Sequence, residues 1–201
     1  AAKLGNGIDD LDLNLEDFKL KVNSDMVGKV VNIASRCAGF VKKLGGGELS
    51  ASMANPELFE QAAAKSDRIA ELYESRNYRE AMREIMALAD VANTFIADAE
   101  PWALAKQEGT EQEVHEVCSV GINLFRVLIT YLKPVLPAMA DKAEAFLNCS
   151  LNWTELEAPL TRHVLSRFKP LITRIESKQV DAMVQDSTET QAAEAAAKTP
   201  S

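Results

Sequence analysis

Apolar residues recur every three or four positions along most of this chain, the spacing that lines one face of an α-helix. Phe18, Val22, Met26, Val30, Ile33, Cys37, Val41 and Leu44 make a first stripe, which predicts one long helix or two with a break near Asn23-Ser24. Asn14 stands at an N-cap position with Asp17 three residues on, and Gly45-Gly46-Gly47 supplies the stop. A second helix is announced by a cap at Asn55 and by Pro56 in the first turn, with Leu58, Phe59, Ala62, Ile69 and Tyr73 on its apolar side. Ser75-Arg76-Asn77 turns into a third, opened by Asn77 and Glu80 as an Asn-x-x-Glu box. That third helix carries Met82, Ile85, Met86, Leu88, Ala89, Ala92, Phe95 and Ile96, a set wide enough to predict that it is the central one.

A corner follows. The third helix ends near Asp98, and Pro101 confines Glu100 to extended backbone, so the bend is fixed. Trp102 comes next, an indole that serves at such a corner either as a core plug or as a stacking platform. Thr110 and Glu113 start a fourth helix, buried through Val117, Val120, Gly121, Leu124, Phe125, Leu128 and Tyr131 and ended by Pro134. Pro137 opens a fifth, through Ala143 to about Leu147. No alternation of strand type occurs in the first 150 residues, so the class is all-α, a bundle of about five to six helices over 1–150. Residues 151–184 read as a return segment, with Trp153 near a Thr154 cap, and a final helix around Ile175 to Val184. Residues 185–201 read as a flexible low-complexity linker.

The first helix also carries a polar line of Lys29, Asn32, Arg36 and Lys43 beside its apolar stripe. Asn32 and Arg36, one turn apart, place an amide next to a planar fork of donors, a pair suited to polar base edges or to a merely solvated face. A net charge of −8 argues by itself against nucleic acid as the partner, yet the charge is uneven. Asp9 to Asp17 holds five acidic residues and no basic one, whereas Lys21, Lys29, Arg36, Lys42 and Lys43 face only Asp25.

Cys37, Cys118 and Cys149 form neither a disulfide framework nor a zinc pattern, and they suit a reducing, cytoplasmic setting. Asn148-Cys149-Ser150 and Asn152-Trp153-Thr154 fit the glycosylation sequon, a pattern short enough to arise by chance. Gly121 to Ala140 is the most apolar stretch, but Arg126, Lys133 and two prolines make it a buried helix rather than a membrane span. His115 lies among Glu111, Glu113 and Glu116, and Gln112 breaks any Glu-x-x-His pattern of a di-iron bundle. Cys118 follows His115 by three residues but sits within the buried pattern, where a thiol is inert. Gly45-Gly46-Gly47 follows a helix and lacks the lysine of a phosphate loop.

Five ordered stretches carry a resemblance. They are Asp12 to Phe18, Lys29 to Arg36 with Ala38-Gly39-Phe40, Arg83 to Asp90, Pro101 to Lys106, and Gly121 to Leu128 with Thr130 to Pro137. In this order they resemble the helical anticodon-binding region of the bacterial methionyl-tRNA synthetase family, class I aminoacyl-tRNA synthetases. Weaker similarity continues to about Val184. The resemblance implies that Asn32 and Arg36 contact the first anticodon bases of methionine tRNA, that Trp102, its plane fixed by Pro101, stacks on the first of them, and that Lys29, Lys42, Lys43 and Lys106 are phosphate contacts. It also implies a catalytic domain in the parent protein that uses ATP with magnesium and carries zinc, and a further C-terminal domain that dimerises the parent. The chain itself contains neither His-Ile-Gly-His nor Lys-Met-Ser-Lys-Ser, so no cofactor is expected in it. The equivalent domain of another class I synthetase and a helical protein-interaction module are the alternatives. The expected outcome of an ATP–pyrophosphate exchange assay on this chain alone is no activity; exchange by a preparation free of longer enzyme would contradict the reading.

Overall fold

The computed structural model describes residues 1, 3, 4 and 14–186. The stretch 187–201, most of the predicted linker, and the acidic Asp9, Asp10 and Asp12 lie outside the described residues. Among those described, helices are the regular elements, and the only β pairing is an isolated bridge between Glu48 and Val164. No described helix is long and apolar enough to cross a membrane.

Leu15–Lys21 forms α1, capped as expected by Asn14 Oδ1, which accepts the Asp17 N–H at 3.0 Å. Val22–Val31 continues as a π-helix and Asn32–Gly45 as α2, without a break. The wider winding turns Asp25 inward, where it is buried against Lys21 at 2.8 Å, while Met26 of the expected stripe is only half-buried. Gly46, at φ 64°, ends α2 in the left-handed region that glycine adopts without penalty.

The second predicted helix is two: α3 (Pro56–Ala63) and α4 (Ser66–Glu74). Asn55 holds the cap position, but at φ 60° its amide turns to Glu57 and caps nothing. The Asn77–Glu80 box does not form at the start of α5 (Tyr78–Ala99), because Glu80 pairs with Arg83 one turn on. Glu100 is not extended either: it lies at φ 41°, ψ 56°. Proline disfavours only the right-handed α region for its predecessor, and the left-handed one closes α5 through Glu100 N–H to Ile96 O at 3.2 Å. The Glu100 carbonyl then accepts from Ala103 and Leu104, at 2.7 and 3.0 Å, and starts α6 (Pro101–Leu104).

The central helix is α7 (Glu111–Leu132), not α5. Every residue from Val117 to Leu132 is buried, and α2, α3, α5 and α8 (Pro137–Leu147) pack around it. Five of those buried residues carry polar side chains, and each reaches a backbone partner. Ser119 Oγ accepts the Ser50 N–H at 2.9 Å, and Asn123 pairs with both Leu160 N–H and C=O at 2.7 and 3.0 Å. Arg126 donates to Ala158 O at 2.9 Å and to Glu155 O at 2.5 Å, Thr130 to Arg126 O, and Tyr131 to Ala62 O and Ala63 O. Burial without those partners would cost about 1–3 kcal/mol per group.

These bonds hold the return segment in place. After a short 3-10 turn (Trp153–Glu155), with Trp153 against Tyr131 at 5.0 Å between ring centroids, the chain runs back over the bundle. Leu165 N–H meets Gly47 O and Ser166 N–H meets Phe146 O, at 2.8 and 2.9 Å. Asn23 clasps both N–H and C=O of Ile175, and residues 177–186 close as a last helix.

Phe125 is fully buried against Phe146, so Phe125→Ala is expected to lower stability by about 3–5 kcal/mol. Trp102, half-buried, should cost distinctly less, and equal losses in thermal melts would make it a core plug after all. A methyl on Gly121 would come within 2.6 Å of Cys37 Sγ. Gly121→Ala is therefore expected to cost about 1–3 kcal/mol in denaturant melts, and much less in a Cys37→Ala background.

Candidate nucleic-acid interface

The surface that gathers the sequence-predicted polar residues lies where α2 passes α5 and α6. Small side chains allow the approach: Ala34 on α2 and Ala89 and Ala92 on α5 are all buried. Gly121 does the same on the inner side, letting Cys37 sit directly on α7. The Cys37 thiol is held well above the ordinary thiol range by its hydrogen bond with Cys118 and by burial, so it stays protonated. His115 turns away from Cys118 and meets Glu48 O at 2.8 Å, so the two do not form a nucleophile–base pair.

Arg36 and Trp102 come together. The guanidinium carbon stands 4.3 Å from the indole centroid, a cation stacked on an aromatic face. Pro101, buried as the first residue of α6, fixes where the indole starts, and the left-handed Glu100 aims the corner toward α2. Thr110 braces the corner from below, its hydroxyl donating to Leu104 O at 2.7 Å or to Gln107 O at 3.0 Å.

One turn back from Arg36, Asn32 donates to Asn93 Oδ1 at 3.4 Å. Lys29 reaches across to Asp90 at 2.7 Å, so its charge is already matched. Lys43, two turns beyond Arg36 on the same face, is exposed, and so is Lys106 after α6; neither has an ion pair among the described residues. Lys42 is the one predicted residue that falls elsewhere. Six residues from Arg36 it is rotated by about 240° around the helix. Its ammonium donates to Gly46 O at 2.9 Å, and it lines a separate groove of about 640 Å³ with Phe146, Leu165 and Phe168.

Two residues of this face, Asp90 and Asn93, were given no functional part in the sequence reading. Asn93 was visible as a polar interruption in the series Met82, Met86, Ala89, Ile96, where an apolar residue fits the spacing. Asp90 had no such signal, being one of many exposed acids. No group of three or more His, Cys, Asp or Glu that could hold a metal ion occurs among the described residues.

A family model described as the anticodon binding domain of methionyl tRNA ligase matches residues 45–194. The match includes the Pro101-Trp102 corner and starts just after the polar face of α2. Among solved structures, the free form of Mycobacterium tuberculosis methionyl-tRNA synthetase superposes with a TM-score of 0.75 at 20% identity, covering 82% of this chain and 35% of that one. The same enzyme in complex with methionyl-adenylate gives 0.73 at 20% identity, over 79% and 33%. These likenesses establish a shared fold, and the chain spans about a third of the length of those structures.

Proposed function

The chain belongs to the family of methionyl tRNA ligase anticodon-binding domains, and on that premise we propose that the face formed by Arg36, Trp102 and Asn32 reads the anticodon loop of methionine tRNA. The observation that carries this reading is the stacking of Arg36 on Trp102, since a flat cation on an indole occupies the place a base would take. Bases of a single-stranded loop are read by being splayed out, stacked on an aromatic ring and hydrogen-bonded along their edges. Trp102 supplies the ring for the first anticodon base, cytosine in the methionine anticodon. Arg36 and Asn32 supply edge contacts to that base and its neighbour, and Lys43, Lys106 and, once released from Asp90, Lys29 supply phosphate contacts. Lys42, turned to the far side, has at most a peripheral part.

The chemistry belongs on this reading to a catalytic domain of the longer protein. There methionine is activated with ATP and magnesium, and zinc has its place in that domain too. A further C-terminal domain joins two copies of the parent. The setting is the cytoplasm, in keeping with three unpaired cysteines.

Trp102→Ala and Arg36→Gln in the intact enzyme are each expected to lower kcat/KM for methionine tRNA by about 1–3 kcal/mol in transition-state terms. Methionine activation without tRNA should stay near normal. Lys43→Ala should instead weaken all tRNAs alike and reduce the salt dependence of binding by about one unit. The deciding measurement is charging of tRNAs altered at the first anticodon base. A Trp102→Ala enzyme that discriminates against them as strongly as the parent would remove Trp102 from the reading.

A further inference from the structure

The amide of Asn32 has two chemically opposite ends, and the structure determines which of them faces outward. Asn93 stands on α5 opposite the junction of the π-helix with α2. Its Nδ2 donates to two main-chain carbonyls, Ala89 O at 2.8 Å and Lys29 O at 3.2 Å. Carbonyl oxygens only accept, so turning the Asn93 amide over would set a third oxygen against two. Its Oδ1 therefore points at Asn32, whose Nδ2 donates to it at 3.4 Å. The constraint passes along the pair: with Nδ2 of Asn32 turned to Asn93 and one of its two N–H donors used there, Oδ1 is the end turned toward a ligand. Among the described residues that oxygen accepts no hydrogen bond.

Resting on the proposed reading of this face, we infer that Asn93 is a positioning residue that makes Asn32 a hydrogen-bond acceptor toward the anticodon. The site thereby selects a base bearing an exocyclic amino group over one bearing a keto oxygen at the same place. Cytosine and adenine offer the amino donor; uracil and hypoxanthine offer an oxygen. A keto base would bring its oxygen against Asn32 Oδ1, and Asn93 prevents the half-turn of the amide that would relieve it. Without Asn93, Asn32 offers either end, and the preference disappears while the stacking on Trp102 remains.

The test is titration of the 201-residue chain with anticodon stem-loops carrying CAU, the first base changed to uracil, or the second changed to inosine. The parent chain is expected to prefer the amino base by roughly tenfold at the position that Asn32 faces. Asn32→Ala should abolish that preference and so identify the position. Asn93→Ala should bring the same ratio to within about twofold of unity, while affinity for CAU falls much less. Asn93→Ser should do likewise while keeping a back-bond to Ala89 O, which guards against a folding defect. In the Asn32→Ala background, Asn93→Ala should change nothing further in the ratio. An Asn93→Ala chain that loses affinity for all stem-loops equally, or one whose effect persists without Asn32, overturns the inference and leaves a packing role. If Asn32→Ala itself leaves every ratio unchanged, or the parent binds none of the stem-loops, the reading of the face as an anticodon reader fails and takes the inference with it.

Discussion

The whole arrangement depends on α7 being buried around its entire circumference from Val117 to Leu132. A helix in that position satisfies its own backbone but cannot leave side-chain polarity unmatched. Ser119, Asn123, Arg126, Thr130 and Tyr131 resolve this by turning their polar atoms to backbone groups, most of them in segments that have no regular structure to satisfy them. The central helix thus supplies hydrogen bonds that the irregular return segment cannot supply for itself. Arg126 is the extreme case, a buried cation held by two carbonyls, with its Nε unpartnered. The same helix sets the candidate face at a distance: Gly121 admits Cys37, which fixes the height of α2, and α2 carries Asn32 and Arg36 to the α5–α6 corner.

Spacing along the sequence revealed the helices because amphipathic helices write their burial into a period. Its failures occurred where the period carries no information. The π-helix at Val22–Val31 has the composition of the α-helix it replaces, and only its winding brings Asp25 inward. Centrality was misassigned to α5 because Ser, Asn, Arg and Thr interrupt the apolar run of α7 and leave its buried set narrower in the sequence than it is in the fold. The partners of Ser119, Asn123 and Arg126 lie 29 to 69 residues away in the chain, in segments such as Ser50 and Leu160 that have no pattern of their own, while Thr130 bonds to Arg126 within its own helix. Residues 151–184 read as a return segment, but the bonds that seat that segment on the bundle were illegible for the same reason. At Glu100 the general preference before proline was correctly known, but two regions satisfy it, and the hydrogen bonds of the two flanking helices selected the left-handed one.

The candidate face was legible in its residue types and incomplete in its geometry. Asn32, Arg36 and Trp102 were singled out from spacing and resemblance, and the structure brings Arg36 and Trp102 into contact. Lys29, Lys42, Lys43 and Lys106 looked equivalent as positive charges, yet their surroundings differ. Lys29 is matched by Asp90, Lys42 is turned to a carbonyl on another side, and Lys43 and Lys106 stand exposed. A lysine's partner depends on the opposing element, which a one-helix pattern does not contain. Asn93 illustrates the converse: its contact is with Asn32, so it becomes visible only once α5 and α2 are side by side.

The acidic balance of the chain fits the proposed reading once the competing interactions at Trp102 are compared. Arg36 forms no ion pair among the described residues; its partner is the indole. A partly exposed cation–π contact is worth about 0.5–1 kcal/mol, whereas stacking a base on an aromatic side chain is worth about 1–3 kcal/mol. A base can therefore take the ring from Arg36 at little net cost. The displaced guanidinium remains charged, keeps all five donors and stays within a turn of Asn32. Had Arg36 been held by a carboxylate, as Lys29 is by Asp90, freeing it would have stranded a charge on the face. On the proposed reading, affinity would come from rings and base edges more than from bulk positive charge, which reconciles a net charge of −8 with a polyanionic partner.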